Sequence, residues 1–119
     1  MDDAENKLDT DRIVEVIRAQ PKQSLLVLTA IIKLTKSGQK NIQTGDIFSV
    51  YEKLCPKSKL KPLTQRRVSD LIAELDMLGI INAKVISKGR YGRTREISFT
   101  LPGPVQRKVE TVLKENYLI

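Results

Sequence analysis

Histidine and tryptophan are absent from the 119 residues, and cysteine occurs once, at position 55. A single thiol excludes a disulfide within the chain. Without histidine there is no Cys/His set for zinc and no nucleophile–histidine pair for catalysis. Cys55 closes an apolar-periodic segment just before Pro56, where a buried structural thiol is expected rather than a reactive one. Aromatic residues make up 4% of the chain, and Phe48, Tyr51, Tyr91, Phe99 and Tyr117 are too scattered to form a stacking platform for single strands. The longest apolar run, Leu25 to Ile32, has 8 residues and contains Thr29, whereas a membrane-spanning helix needs about 18. The opening Met-Asp-Asp-Ala-Glu-Asn carries acids where a secretory signal would carry Lys or Arg, so a soluble, intracellular protein is expected. Lys36-Ser37-Gly38-Gln39-Lys40 lacks the Gly-x-x-x-x-Gly-Lys-Ser/Thr order of a phosphate-wrapping loop, which argues against a nucleotide site.

What is abundant is positive charge. Lys and Arg number 21 against 14 Asp and Glu, for a net +7 and a pI near 9.7. Six of the acids (Asp2, Asp3, Glu5, Asp9, Asp11, Glu15) lie in the first 15 residues, which leaves residues 16–119 at a net +11. Such a field attracts polyanions. A mass of 13.5 kDa fits one domain. The expected division is an N-terminal helical segment over residues 1–20, followed by one folded domain over 21–119.

Ile13, Val16 and Ile17 fall at i, i+3 and i+4, which predicts a helix from Asp11 to Ala19, with Asp9 and Thr10 as caps or a start as early as Ala4. Pro21 suits the first turn of a second helix, which is apolar on most sides and ends at Ser37-Gly38. Asn41 to Gln43 reads as a short extended piece. Thr44 is the expected cap of a third helix, with Asp46 in its first turn and Ile47, Val50, Tyr51 and Leu54 on one face. Pro56 stops it, and Pro56 to Pro62 reads as a loop holding Lys57, Lys59 and Lys61. Thr64 is the N-cap of a fourth helix, Val68, Leu71, Ile72, Leu75 and Leu78 are its apolar stripe, and Gly79 closes it. From Ile80 the hydrophobic period changes from 3.6 to 2. Ile81, Ala83 and Val85, then Ile97, Phe99 and Leu101, predict a β-hairpin around a Gly-containing turn. After Pro102-Gly103-Pro104, the residues Val105, Val109, Val112 and Leu113 begin a last helix.

This order is a helix-turn-helix followed by a β-wing. The expected fold class is mainly α with a small β-hairpin wing, a winged helix-turn-helix, a module with one helix whose outer face can enter the DNA major groove. At 100° per residue the stripe of the fourth helix leaves Arg66, Ser69, Asp70 and Ala73 opposite, with Gln65 and Arg67 on the flanks. Arg can donate twice to guanine and Gln can pair with adenine. Thr64 and the open N–H groups of the first turn can hold a phosphate. The bland alternative is an Arg66–Asp70 surface pair on a solvated face. The wing, Lys88-Gly89-Arg90-Tyr91-Gly92-Arg93-Thr94-Arg95, places four cations and two glycines at its tip, suited to close approach and to a narrow minor groove. Its alternative is a turn whose charges only solvate it, with Tyr91 packed back on the sheet. Lys57, Lys59 and Lys61 are phosphate contacts if DNA binds and ordinary solvated charge otherwise.

Leu63-Thr64-Gln65-Arg66-Arg67-Val68-Ser69, Leu75-Asp76-Met77-Leu78-Gly79-Ile80-Ile81 and the wing Ser87 to Arg95 resemble the archaeal replication initiators of the origin recognition and cell division control family. Upstream, Val16-Ile17-Arg18, Pro21 and Leu25-Leu26-Val27-Leu28 extend the likeness over nearly the whole chain. In that family an AAA+ ATPase module precedes a C-terminal winged helix that binds origin repeats, with the recognition helix in the major groove and the wing in the minor groove. The resemblance therefore implies a double-stranded DNA-binding, non-enzymatic domain of a replication initiator, nucleoid-associated in the cytoplasm. Helix contacts would come from Thr64, Gln65, Arg66, Arg67 and Ser69, and wing contacts from Lys88, Gly89, Arg90, Tyr91 and Arg93. ATP and Mg are expected only with the ATPase module, and no metal or cofactor is expected in this chain. Two alternatives stay open: a protein-interaction winged helix contacting a replicative helicase or another initiator subunit, and a free-standing transcription regulator.

Overall fold

The computed structural model describes residues 12–39, 41–87, 93–99, 101 and 103–115. Helix α1 covers residues 12–18; its proposed caps Asp9 and Thr10, and a start near Ala4, lie outside the described residues. Next come α2 (Lys22–Lys36), β1 (Ile42–Gln43), α3 (Thr44–Leu54), a 3₁₀ turn (Pro56–Ser58), α4 (Gln65–Met77), β2 (Asn82–Ser87), β3 (Arg93–Ser98) and α5 (Gly103–Glu115). Five helices and a small antiparallel sheet among the described residues form the expected winged helix.

Helix α2 is the hub of the core. Leu25 to Ile32 and Leu34 are all buried, as an unbroken apolar run predicts for a helix covered on every side. Thr29 is tolerated there because its hydroxyl donates to the Leu25 carbonyl (2.8 Å). α3, α4, β1 and β3 all pack against α2. Ile17 of α1 and Val105, Val109, Val112 and Leu113 of α5 join the same apolar cluster. At the surface, Arg18 bonds Glu115 at 2.9 Å and Lys36 bonds Glu110, so α5 is tied to both α1 and α2.

The sheet order is β1-β3-β2, with Ile97 of β3 opposite both Ile42 and Ala83. Ile42 and Ile97 are buried toward the helices, while Gln43, Glu96 and Lys84 form the neighbouring row.

Several local expectations shift. The cap of α3 is Gln43 rather than Thr44: pairing with β3 holds Gln43 extended (φ −116°, ψ 165°), and its N–H donates to the Asp46 carboxylate at 3.0 Å. Pro21 occupies the N-cap of α2 in an extended conformation instead of its first turn. The segment after Pro56 starts as a 3₁₀ turn that Lys59 closes at φ +59°. Gly103 and Pro104 lie inside α5, where a proline in the first turn gives up no helical bond. Leu78 leaves the apolar stripe and is 42% exposed, because α4 ends at Met77 and the chain turns away at Gly79 (φ +80°). Arg93 and Arg95 stand in β3 opposite Ser87 and Val85 rather than at the hairpin tip. β3 ends at Ser98, short of Phe99 and Leu101.

Candidate nucleic-acid interface

Helix α4 is built to bury one face and present the other. Val68, Ile72 and Leu75 are buried and Leu71 is half-buried, whereas Thr64, Gln65, Arg66, Arg67 and Asp70 are exposed and Ser69 and Ala73 are half-buried. Arg66 and Asp70 are both exposed and no ion pair joins them. The helix starts where the sequence predicts. Thr64 Oγ1 accepts the Arg67 N–H at 3.2 Å, which leaves the first-turn N–H groups of Gln65 and Arg66 outside the intrahelical ladder. With no acid in the first turn, the positive end of the helix is unscreened by its own side chains.

The far end of α4 is fixed just as locally. The Gly79 N–H donates to the Asp76 carbonyl (3.0 Å) and the Ile80 N–H to the Leu75 carbonyl (3.1 Å), the paired bonds of a Schellman turn. Asp76 also accepts the Ala83 N–H through its side chain (3.2 Å), which ties the helix end to β2. An acid in the last turn opposes the helix dipole, and this bond accounts for its presence. Helix α4 and the hairpin are thus joined through a short, hydrogen-bonded turn.

The lysine segment before α4 is anchored rather than loose. Lys57, Lys59 and Lys61 are exposed, while Leu60 and Leu63 pack against the core between and after them. The backbone closes on itself through Lys59 N–H to the Pro56 carbonyl (3.2 Å) and Leu60 N–H to the Cys55 carbonyl (3.0 Å). Cys55 is fully buried and burial pushes its thiol pKa up, in keeping with a structural role.

Tyr51 and Gln23, which nothing in the sequence pattern marks as site residues, shape this segment. Tyr51 of α3 is fully buried; its hydroxyl donates to Gln23 Oε1 (2.5 Å) and accepts the Leu63 N–H (2.8 Å). Gln23 of α2 in turn donates from Nε2 to the Lys61 carbonyl (3.1 Å). Burial pushes the Tyr51 pKa up to about 12, against the opposing pull of the Leu63 N–H. The available signal was a tyrosine at a helix position that otherwise calls for an aliphatic side chain, since a buried hydroxyl requires partners.

Of the predicted wing contacts, Lys88, Gly89, Arg90 and Tyr91 lie outside the described residues, and Arg93 opens β3 with its backbone paired to Ser87. Among the described residues no group of three or more Cys, Asp or Glu could hold a metal ion, and no helix is long and apolar enough to cross a membrane.

The geometry agrees with what known proteins show. Residues 15–104 match the family described as "CDC6, C terminal winged helix domain". The chain is 59% identical over 99 residues to ORC1-type DNA replication protein 4 of Haloarcula marismortui, covering 83% of this chain and 19% of that protein. It is 53% identical over 116 residues to ORC1-type DNA replication protein 1 of Methanosarcina mazei, covering 96% of this chain and 27% of that protein. Among solved structures, the Aeropyrum pernix ORC1 protein in complex with DNA superposes with a TM-score of 0.84 at 40% identity, over 98% of this chain and 29% of that one. The chain therefore spans about a fifth to a quarter of the length of these curated relatives. The capped helix, the hairpin that follows it and the extent of these matches lead to one conclusion: the chain belongs to the CDC6 C-terminal winged-helix family of ORC1-type replication initiators.

Proposed function

We propose that this domain binds double-stranded origin DNA without catalysing a reaction, with α4 in the major groove reading origin repeats and the basic wing in the adjoining minor groove. The observation that carries the reading is the exposed first turn of α4, with Arg66 opposite the buried stripe and Gln65 and Arg67 on its flanks. Arg supplies paired donors for guanine and Gln both donor and acceptor for adenine. Lys57, Lys59 and Lys61 and the N-terminus of α4 take phosphates, which fix the register of the helix on the duplex. Lys88, Gly89, Arg90, Tyr91 and Arg93 form the wing contacts. Solution of the 40% identical Aeropyrum pernix ORC1 protein in complex with DNA supports the same use here. Activity that depends on ATP and Mg belongs to the ATPase module of the longer initiators. Other initiator subunits are the proposed protein partners.

Titration of an origin-repeat duplex into the isotopically labelled domain, followed by amide shifts, tests the docking mode. Shifts concentrated in residues 57–70 and the wing agree with it. A duplex that leaves residues 57–70 and the wing unmoved would count against it and favour the protein-interaction reading.

A further inference from the structure

Tyr51 and Gln23 grip one short piece of backbone from two sides. The Lys61 carbonyl accepts from Gln23 and the Leu63 N–H donates to Tyr51, while Tyr51 and Gln23 bond each other. Between the two gripped groups stands Pro62, which has no N–H to offer. The gripped stretch separates exposed Lys61 from the Thr64 cap and from Gln65 and Arg66. Both holding side chains come from helices of the core: Tyr51 is fully buried and Gln23 sits at the start of α2, which supplies the centre of the apolar cluster. A phenylalanine would fill the same space without needing partners, so packing alone does not account for the hydroxyl.

We infer that Tyr51 and Gln23 are positioning residues for DNA binding: through the Lys61–Leu63 backbone they set the distance and direction of the phosphate-contacting lysines relative to the base-reading start of α4. Neither residue is among the proposed DNA contacts. The inference rests on the proposed DNA contacts and adds to them the element that pre-organises them. A binding surface held in its bound geometry loses less conformational freedom on association, so release of the grip appears as lost affinity. Burial favours the protonated Tyr51 hydroxyl, the form able to donate to Gln23 while accepting from Leu63.

The test compares the parent chain, Tyr51→Phe, Lys61→Ala and the double variant for binding to a fluorescein-labelled mixed-sequence duplex and to an origin-repeat duplex. A cooperative melt checks folding, and hydrogen exchange follows the Leu63 amide. Tyr51→Phe is expected to stay folded, to speed Leu63 exchange, and to weaken duplex binding on the order of five- to tenfold. Lys61→Ala should cost less affinity in the Tyr51→Phe background than in the parent, since a lysine no longer held in place has less to lose. Gln23→Ala, at a half-buried site, provides a second route to the same released loop if Tyr51→Phe fails to fold, and should weaken binding similarly. A folded variant with parental affinity and additive Lys61→Ala losses would overturn the inference while leaving the DNA reading standing. Absence of duplex binding by the parent chain at low salt would overturn that reading and the inference with it.

Discussion

Arg66 and Lys59 carry the same charge and are both exposed, but the proposed docking gives them different work. Arg66 projects from the first turn of α4 and Lys59 closes the 3₁₀ turn before it. Arg66→Ala is expected to cost about 1–3 kcal/mol and to relax preference at one base position, whereas Lys59→Ala weakens every sequence alike and lowers the salt slope by about 1. Affinities on a panel of single-base duplex variants separate the two, and an equal loss on all duplexes for Arg66→Ala would remove it from base readout. Tyr51 has its own signature at alkaline pH. Below its ordinary pKa of 10.0 the hydroxyl is protonated in both folded and unfolded chains. Between there and about 12 only the unfolded chain gives up the proton, so stability falls as pH rises through that window. The gap corresponds to at most about 3 kcal/mol. Denaturant melts between pH 9 and 12 should show a decline that is shallower in Tyr51→Phe; equal slopes would contradict the buried, protonated state.

At the scale of the element, α4 depends on two local devices at its ends. Thr64→Ala removes the bond to the Arg67 N–H and should cost about 1 kcal/mol. Gly79→Ala meets no atom within 4 Å but must hold φ +80°, at about 1–2 kcal/mol. Urea midpoints check both, and a neutral Gly79→Ala would show that the turn relaxes. Arg90→Ala in the wing should lower duplex affinity with no change in melting midpoint; loss of the folded state instead would assign the residue a structural role. Both ends of α4 were legible in the sequence because capping is decided within a few residues. The predicted stripe runs one position too far, to Leu78, since periodicity alone does not mark the helix end at Met77. Gln43 displaced Thr44 as the cap of α3 because pairing with Ile97 and Glu96, far along the chain, decides where the backbone stops being extended. The Tyr51–Gln23 grip was hidden for the same reason, its partners lying 28 and 12 positions away. Hydrophobic pattern tells which face is buried, and only the fold tells which buried hydroxyl finds a partner.

For the whole molecule, the order of elements and the charge imbalance were readable from sequence, because amphipathic periods and net charge are summed over many residues. The three-stranded sheet was only half readable, since β1 is two residues long and exists by pairing with β3. The assembled domain places the lysine segment and α4 on one continuous stretch of chain anchored to the core, within a chain of net charge +7. If about five phosphates are neutralised, log K should fall against log salt with a slope of roughly −4.5. The most direct measurement is fluorescence anisotropy with an origin-repeat duplex and a scrambled duplex of equal length at two salt concentrations. The account predicts salt-sensitive binding that is tighter for the origin repeat. Equal affinity for the two duplexes would contradict sequence recognition by this domain, and no binding at low salt would contradict DNA binding altogether.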